Sequence, residues 1–188
     1  MCKHHPRTFH LRLTREQRLK NITIRQALAS DASSLYEAER ETSRTPGLLV
    51  SRPHEFNRDA FERKINALKD HGLYLVAQCN GQAVGHAYLE PLGLEALAHV
   101  MSLTIVVHPG YVEQGVGHAL MTQLLEWAGS QSTLLKVELR VREVNHRAIR
   151  LYQKFGFVEE GRLQNRIRLP DGALIADLTM AWFAPDKG

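Results

Sequence analysis

The chain has 188 residues, 44% hydrophobic and 23% charged, which suits one domain with a sizeable core. Its formal charge of +4 is uneven, because residues 1–20 carry Lys3, Arg7, Arg12, Arg15, Arg18 and Lys20 against Glu16 alone, leaving the rest slightly acidic. No apolar run approaches the ~20 residues of a membrane span, the start Met1-Cys2-Lys3-His4-His5-Pro6 lacks the apolar block of a secretory signal, and Cys2 and Cys79 show no metal spacing, so a cytoplasmic protein without a metal is expected, with Cys79 a reduced, buried thiol.

Residues 21–27 alternate in polarity and predict a first strand. Asp31 stands as the N-cap of a helix to about Arg44, broken by Thr45-Pro46-Gly47. A loop through Pro53 leads to a second helix over about Asp59 to Lys69, with Phe61, Ile65 and Leu68 on one face. Tyr74 to Cys79 and Ala83 to Leu89 read as strands joined by the hairpin turn Asn80-Gly81. His99 to Val107 is a strand, followed by a glycine-bearing loop and a helix with Leu120, Leu124, Trp127 and Ala128 at helical spacing. Leu135 to Val141 is a further strand. Val158 to Arg168 and Ile175 to Phe183 pair across Pro170-Asp171-Gly172. The expected class is α/β (α+β), with a basic extension over residues 1–20 and one domain over 21–188. That domain holds a mixed sheet of about seven strands and about four helices.

Two motifs carry chemistry. The first is Pro109 to Ala119, where Gly115 and Gly117 sit at a strand-to-helix turn. A helix start offers unpaired N–H groups and the positive end of the dipole, so it suits phosphate. A tight turn with close helix–strand packing explains the same glycines. The Walker loop fails, since no Lys-Ser or Lys-Thr follows, and the dinucleotide fingerprint fails for want of a third glycine. The second motif is Asn145 to Phe157. Ala148, Leu151, Tyr152 and Phe155 lie on one helical face, Asn145 is a good N-cap and Gly156 a good C′ residue. Tyr152 is either a core tyrosine with its hydroxyl at an edge or a hydroxyl delivered to a reaction centre.

Together these motifs resemble the GCN5-related N-acetyltransferase (GNAT) superfamily. The family's cofactor loop, Arg/Gln-x-x-Gly-x-Gly/Ala, matches Val112-Glu113-Gln114-Gly115-Val116-Gly117 except at Val112. Its later helix, Asn-x-x-Ala-x-x-Leu-Tyr-x-Lys-x-Gly-Phe, matches at every position. The resemblance implies a GNAT-like fold whose sheet splays between the strands at Ile105 and Leu139 to admit a pantetheine arm. It implies acetyl-CoA as co-substrate, held by the main chain near Ile105 and Val107, by Val112, Gln114, Gly115, Val116, Gly117 and His118, and by Asn145. Arg147, Arg150 and Lys154 are available to a 3′-phosphate, or form a solvated helix face. It implies direct attack of an amine on the thioester in a ternary complex, with Tyr152 stabilising and protonating the thiolate. Homodimers are common in the family.

An alkyl amine has a pKa near ~10.4, so deprotonation at pH 7 costs roughly 4.6 kcal/mol and calls for a base. Ser102, Thr104, His99 and Glu90 are candidates, each with a structural reading beside it. Direct attack without a protein base stays open for an α-amino group. Glu37 and Glu41 share a helix face that would attract an amine, or a solvated face. Arg162, Asn165, Arg166 and Arg168 of the terminal hairpin would suit a carboxylate or a protein acceptor. Acceptors span small amines, amino acids and protein N-termini. Two other readings fit: a CoA-binding regulatory module without turnover, and a ribosome- or RNA-associated protein acting through its arm. That arm carries no nucleic-acid motif, so neither nucleic acid nor membrane is the expected partner.

Overall fold

Alternating polarity over Ile22–Gln26 forms the edge strand β1. In the computed structural model, which describes residues 22–185, a 3-10 turn at Ala29–Asp31 leads into α1 (Ala32–Thr42) and α2 (Arg58–His71). Then follow β2 (Leu73–Cys79), β3 (Gln82–Pro91), a 3-10 turn at Glu95–Leu97 and β4 (Val100–Val107). The chain continues through α3 (Val116–Ser130), β5 (Lys136–Arg142), α4 (His146–Lys154), β6 (Val158–Arg168) and β7 (Leu174–Phe183). The basic extension over residues 1–20 lies outside the described residues. Cys79 is half-buried rather than buried, at the end of β2, and is a free thiol.

The strands make one sheet in the order β1-β2-β3-β4-β5-β7-β6. Every pairing is antiparallel except β4 with β5. The expected α/β (α+β) domain with a mixed seven-stranded sheet and four α-helices is therefore the observed one. Local chemistry explains its punctuation. Asn80 and Gly81 take φ of 51° and 78°, the two positive values that a two-residue hairpin turn of this twist needs. Asn57 caps α2 by accepting from the amides of Asp59 (2.9 Å) and Ala60 (3.3 Å). Asp31 does not cap α1 with its side chain. The 3-10 turn precedes α1, and the Asp31 carboxylate is taken by the Leu28 amide (2.8 Å) and by the Arg25 guanidinium (2.7 and 2.8 Å).

The pleat sorts side chains onto two faces. On one, Leu75, Ala87, Leu89, Leu103 and Leu139 pack with Leu120, Met121 and Leu124 of α3 and with Tyr152 of α4. On the other, Tyr74 and Val76 pack with Leu35 of α1 and Ile65 and Leu68 of α2. His86, Tyr88, Ser102 and Thr104 alternate with the first set and so belong to the second face.

Parallel pairing of β4 with β5 covers only Val100, Met101 and Ser102 against Lys136, Val137 and Glu138. Beyond that the strands separate, with β4 still paired to β3 as far as Val107 and β5 to β7 as far as Arg142. The splay expected at Ile105 and Leu139 is present.

Gly85 sets how closely α3 sits on the sheet. A Cβ there would lie 2.7 Å from Val116 Cγ1 and 3.1 Å from the Val106 carbonyl oxygen. Gly85→Ala should therefore push out the first turn of α3 and lower stability by about 1–3 kcal/mol in urea titration.

Candidate active site

The loop between β4 and α3 holds an unusual backbone. Gly110, Glu113 and Gly115 take φ of 85°, 61° and 83°, a pattern that turns amides to one side and builds an anion-binding concavity. Among the described residues, the amides of Val112 to Gly115 donate to no backbone carbonyl. Those of Val116, Gly117 and His118 open the helix and precede its first bond, from the Ala119 amide to the Gly115 carbonyl (3.0 Å). A run of unpaired donors at a helix start fits a diphosphate. The Gln114 side chain is turned back onto the Gly110 carbonyl at 2.7 Å and braces the loop. Gly117 serves packing as well: a Cβ there would meet Leu151 Cδ2 at 3.1 Å and Val107 Cγ2 at 3.5 Å. The first turn of α3 thus lies directly against α4. His118 packs against Phe155 with ring centroids 4.9 Å apart and planes tilted by 56°.

α4 forms as its sequence dictates. The Asn145 side chain accepts from the Ala148 amide (3.2 Å), and Gly156 follows at φ 85°. Its apolar face carries Tyr152 into the main cleft, a space of about 690 Å³ in the splay. Ser102, Leu103, Thr104 and Ile105 of β4 line one wall, and Glu138, Leu139, Arg140 and Arg142 of β5 the other. Tyr152 is 6% exposed. Burial pushes its phenol up to about 12, with Arg142 acting in the opposite direction. The hydroxyl makes no hydrogen bond to the described residues, so its proton is available to the cleft. Arg147, Arg150 and Lys154 are exposed on α4 and form no ion pair with the described residues.

The candidate bases separate. Ser102 and Thr104 line the cleft. Glu90 is engaged by Lys64 at 2.6 Å. His99 is exposed just before β4 and is no part of the cleft wall. Glu37 and Glu41 face solvent, paired with Arg40 (3.2 Å) and Arg44 (2.9 Å). The inward carboxylate of α1 is instead Glu39, which lines the cleft and lies 2.8 Å from His86 Nε2. His86 Nδ1 in turn lies 3.0 Å from His108 Nε2, and His108 Nδ1 3.0 Å from the Ala83 carbonyl. A signal for Glu39 was present in the sequence: Ala32, Leu35 and Thr42, the buried residues of α1, define a stripe that passes through position 39.

The arginines also sort themselves. Arg162 is bound to Glu143 at 2.7 Å, and Asn165 sits exposed at φ 53° in a bulged part of β6. Arg168 is held through its carbonyl by Arg52 (2.6 Å). Only Arg166 of the four reaches a second hollow, where Arg140 and Arg142 join it around the buried Asp177, with Val50 and Ile167 completing the wall. Arg142 lies 3.9 Å and Arg166 3.6 Å from the Asp177 carboxylate. Arg142 Nε and Asp177 Oδ1 are buried without a hydrogen-bond partner. Val50, Arg140 and Arg142 line this hollow and the main cleft alike.

Comparison with known proteins agrees with this geometry. The profile of the Acetyltransferase (GNAT) family matches residues 32–157. The L-amino acid N-acetyltransferase AaaT of Escherichia coli (strain K12) is 30% identical over 148 residues, 76% of this chain and 86% of the relative. A GNAT-family acetyltransferase from Streptococcus pneumoniae superimposes with a TM-score of 0.78 at 27% identity, over 86% of this chain and 99% of that one. The yncA protein of Salmonella typhimurium, solved with acetyl-CoA, shares the fold at a TM-score of 0.79 and 19% identity, over 89% and 99% of the two chains. The chain belongs to the GNAT family of acetyltransferases. It is an N-acetyltransferase that takes its acetyl group from acetyl-CoA and delivers it to an amine. No group of residues suited to holding a metal occurs among the described residues, and none of their helices is long and apolar enough to cross a membrane.

Burial pushes His108 down to about 4, with the neighbouring His86 charge acting in the same direction and the Ala83 carbonyl against it. The unfolded chain would protonate this ring near 6.5, so between those values the unfolded state binds more protons. Stability is full above about pH 6.5 and falls as pH drops toward 4, by about 3 kcal/mol for this ring. Urea titrations at about pH 7.5 and 4.5 should show that His108→Asn loses less stability over the interval than the native protein.

Proposed function

We propose that the acceptor is a small amine bearing a carboxylate, an amino acid in the simplest case, with its carboxylate held by Arg140 and Arg142. The observation that carries this reading is the second hollow. Three arginines surround a single buried carboxylate there, leaving an excess of positive charge. A bound carboxylate would also meet the orphaned Arg142 Nε. The loop between α1 and α2 closes this side, tied down by the Leu48 carbonyl on Arg142 (3.2 Å) and by Arg52 on β6. The amino-acid specificity named for the E. coli relative points the same way.

The two substrates then meet across the sheet. The amides from Val112 to His118 hold the diphosphate of acetyl-CoA. The free edge of β4 at Ile105 and Val107 pairs with the pantetheine amides as another strand would. Asn145 stands beside the arm, and the cations of α4 serve the 3′-phosphate. Bound acetyl-CoA supplies the activated acetyl group. Tyr152 donates a hydrogen bond to the departing sulfur. With its proton held up to about 12, it remains a donor throughout the neutral range. Val112, lacking the side chain usual at its position, weakens anchoring without removing the main-chain donors. The domain is taken as residues 21–188 and the protein as cytoplasmic, as its cysteine usage suggests, and the resemblance suggests a homodimer.

Two variants test this. Tyr152→Phe should lower kcat about 100-fold while the stabilisation of the protein by acetyl-CoA persists in a thermal scan. Arg140→Ala, at an exposed position, should raise KM for amino acids about 10- to 100-fold and leave KM for the matching decarboxylated amines unchanged. Loss on both acceptor types would reject the carboxylate role, as would acetylation confined to peptide N-termini across an acceptor panel.

A further inference from the structure

Between α1 and the sheet runs a hydrogen-bonded chain with a fixed direction. A carbonyl only accepts, so His108 Nδ1, 3.0 Å from the Ala83 oxygen, carries its hydrogen. Burial keeps His108 neutral, which leaves a lone pair on its Nε2. His86 Nδ1, 3.0 Å away, must therefore donate. His86 Nε2 then faces Glu39 Oε1 at 2.8 Å, and that contact closes only when the Glu39–His86 pair holds one further proton. Without it the pair carries a net charge of −1. With it the pair is neutral, whichever partner formally bears the proton. His86 is fully buried and the Glu39 side chain is 13% exposed, so the pair sits largely out of water.

We propose that Glu39 is the catalytic base that removes the proton of the acceptor ammonium, with His86 and His108 as the positioning residues that make the carboxylate a proton sink. The inference rests on the acetyl-transfer reading above and adds the residue that reading lacks. Glu39 lines the same cleft as Ser102, Thr104 and Tyr152, and its Oε2 bonds to no described residue. In the step, one ammonium N–H bond breaks and its electron pair stays on nitrogen, while the proton passes to the Glu39 carboxylate and is shared with His86 Nε2. The freed pair forms the N–C bond as the thioester C–S bond breaks and sulfur keeps its electrons. Nitrogen gives up two protons in all: one leaves for solvent through Glu39, the other ends on the thiol.

Other charges around the pair are already matched. Lys64 of α2 holds Glu90 of β3 at 2.6 Å beside Tyr88, and Arg25 holds Asp31. Tyr74, whose ring lies 5.9 Å from His86, has its phenol raised by burial first and by the Glu39 charge second. Arg140 and Arg142 line the same cleft as Glu39.

Glu39→Gln keeps the shape and can donate to His86 Nε2, but it accepts no proton. For an amine that is protonated at pH 7, kcat/KM should fall about 10²- to 10⁴-fold, and the rising limb of the pH profile should move to the amine's own pKa. For an amine already neutral at pH 7 the loss should stay below about 10-fold. Equal losses on the two amines, or no loss on either, overturn the proposal. The acetyl-transfer reading fails separately, if the native protein acetylates neither amine. Apart from turnover, imidazole ¹⁵N spectra of the native protein should show His108 fixed as the Nδ1–H tautomer between about pH 5 and 8. The His86 Nε2 signal of the native protein should report a hydrogen bond to the Glu39 carboxylate. A His86 Nε2 free of that bond overturns the proposal even where the variant fails to fold.

Discussion

Strands β4 and β5 hold one another for three residues, Val100 to Ser102 against Lys136 to Glu138, and then part. Each keeps its other neighbour, β4 against β3 from Met101 to Val107 and β5 against β7 from Lys136 to Arg142. Opening the sheet here therefore leaves both strands rigid and exposes one edge of unpaired amides and carbonyls. A buried strand edge without partners is costly, and a ligand with amides of its own would restore the pairing. The cleft and the access of Tyr152 to it follow from that separation.

The pleat then divides the labour. Residues on one side of the sheet join α3 and α4, with the first turn of α3 meeting α4 at Gly117 and Leu151, and this side carries the glycine-bearing loop and the phenol. Residues on the other side, His86, Tyr88, Ser102, Thr104, Arg140 and Arg142, look toward α1 and the loop that follows it. A one-residue slip in β4 or β5 would exchange these sets. Register at the few paired positions between the strands is for that reason as consequential as any single side chain.

Much of this was legible from local signals. α4 could be read to the residue because cap, apolar period and terminal glycine agree. Asn80-Gly81 specified its turn through two positive φ values, and the glycine loop stood out between a strand and a helix. What stayed hidden depends on distant partners. Glu39 shares a helical stripe with Ala32, Leu35 and Thr42, but it is the sheet beneath α1 that makes this stripe, and not that of Glu37 and Glu41, the inward one. Asp177 meets Arg142 because β5 and β7 align Arg142 with Asp177, a pairing of segments far apart in sequence. Asp31 looked like a helix cap, but Arg25 and the Leu28 amide compete for the same oxygens and win. The terminal hairpin offered four polar candidates, and the twist of β6 brings just Arg166 to the hollow.

His108 ends the buried chain of polar groups and also begins the glycine-bearing loop. Its amide bonds to the Val84 carbonyl (3.0 Å) and its own carbonyl receives the Tyr111 amide (3.1 Å), so ring and loop are anchored through one residue. A ligand seated on the loop would pull on the residue whose ring orients His86, and a change in charge at His86 would be felt by the backbone entering the loop. Thermodynamic linkage would make any such influence mutual: whatever a ligand on the loop contributes to arranging the acceptor side, the acceptor would return.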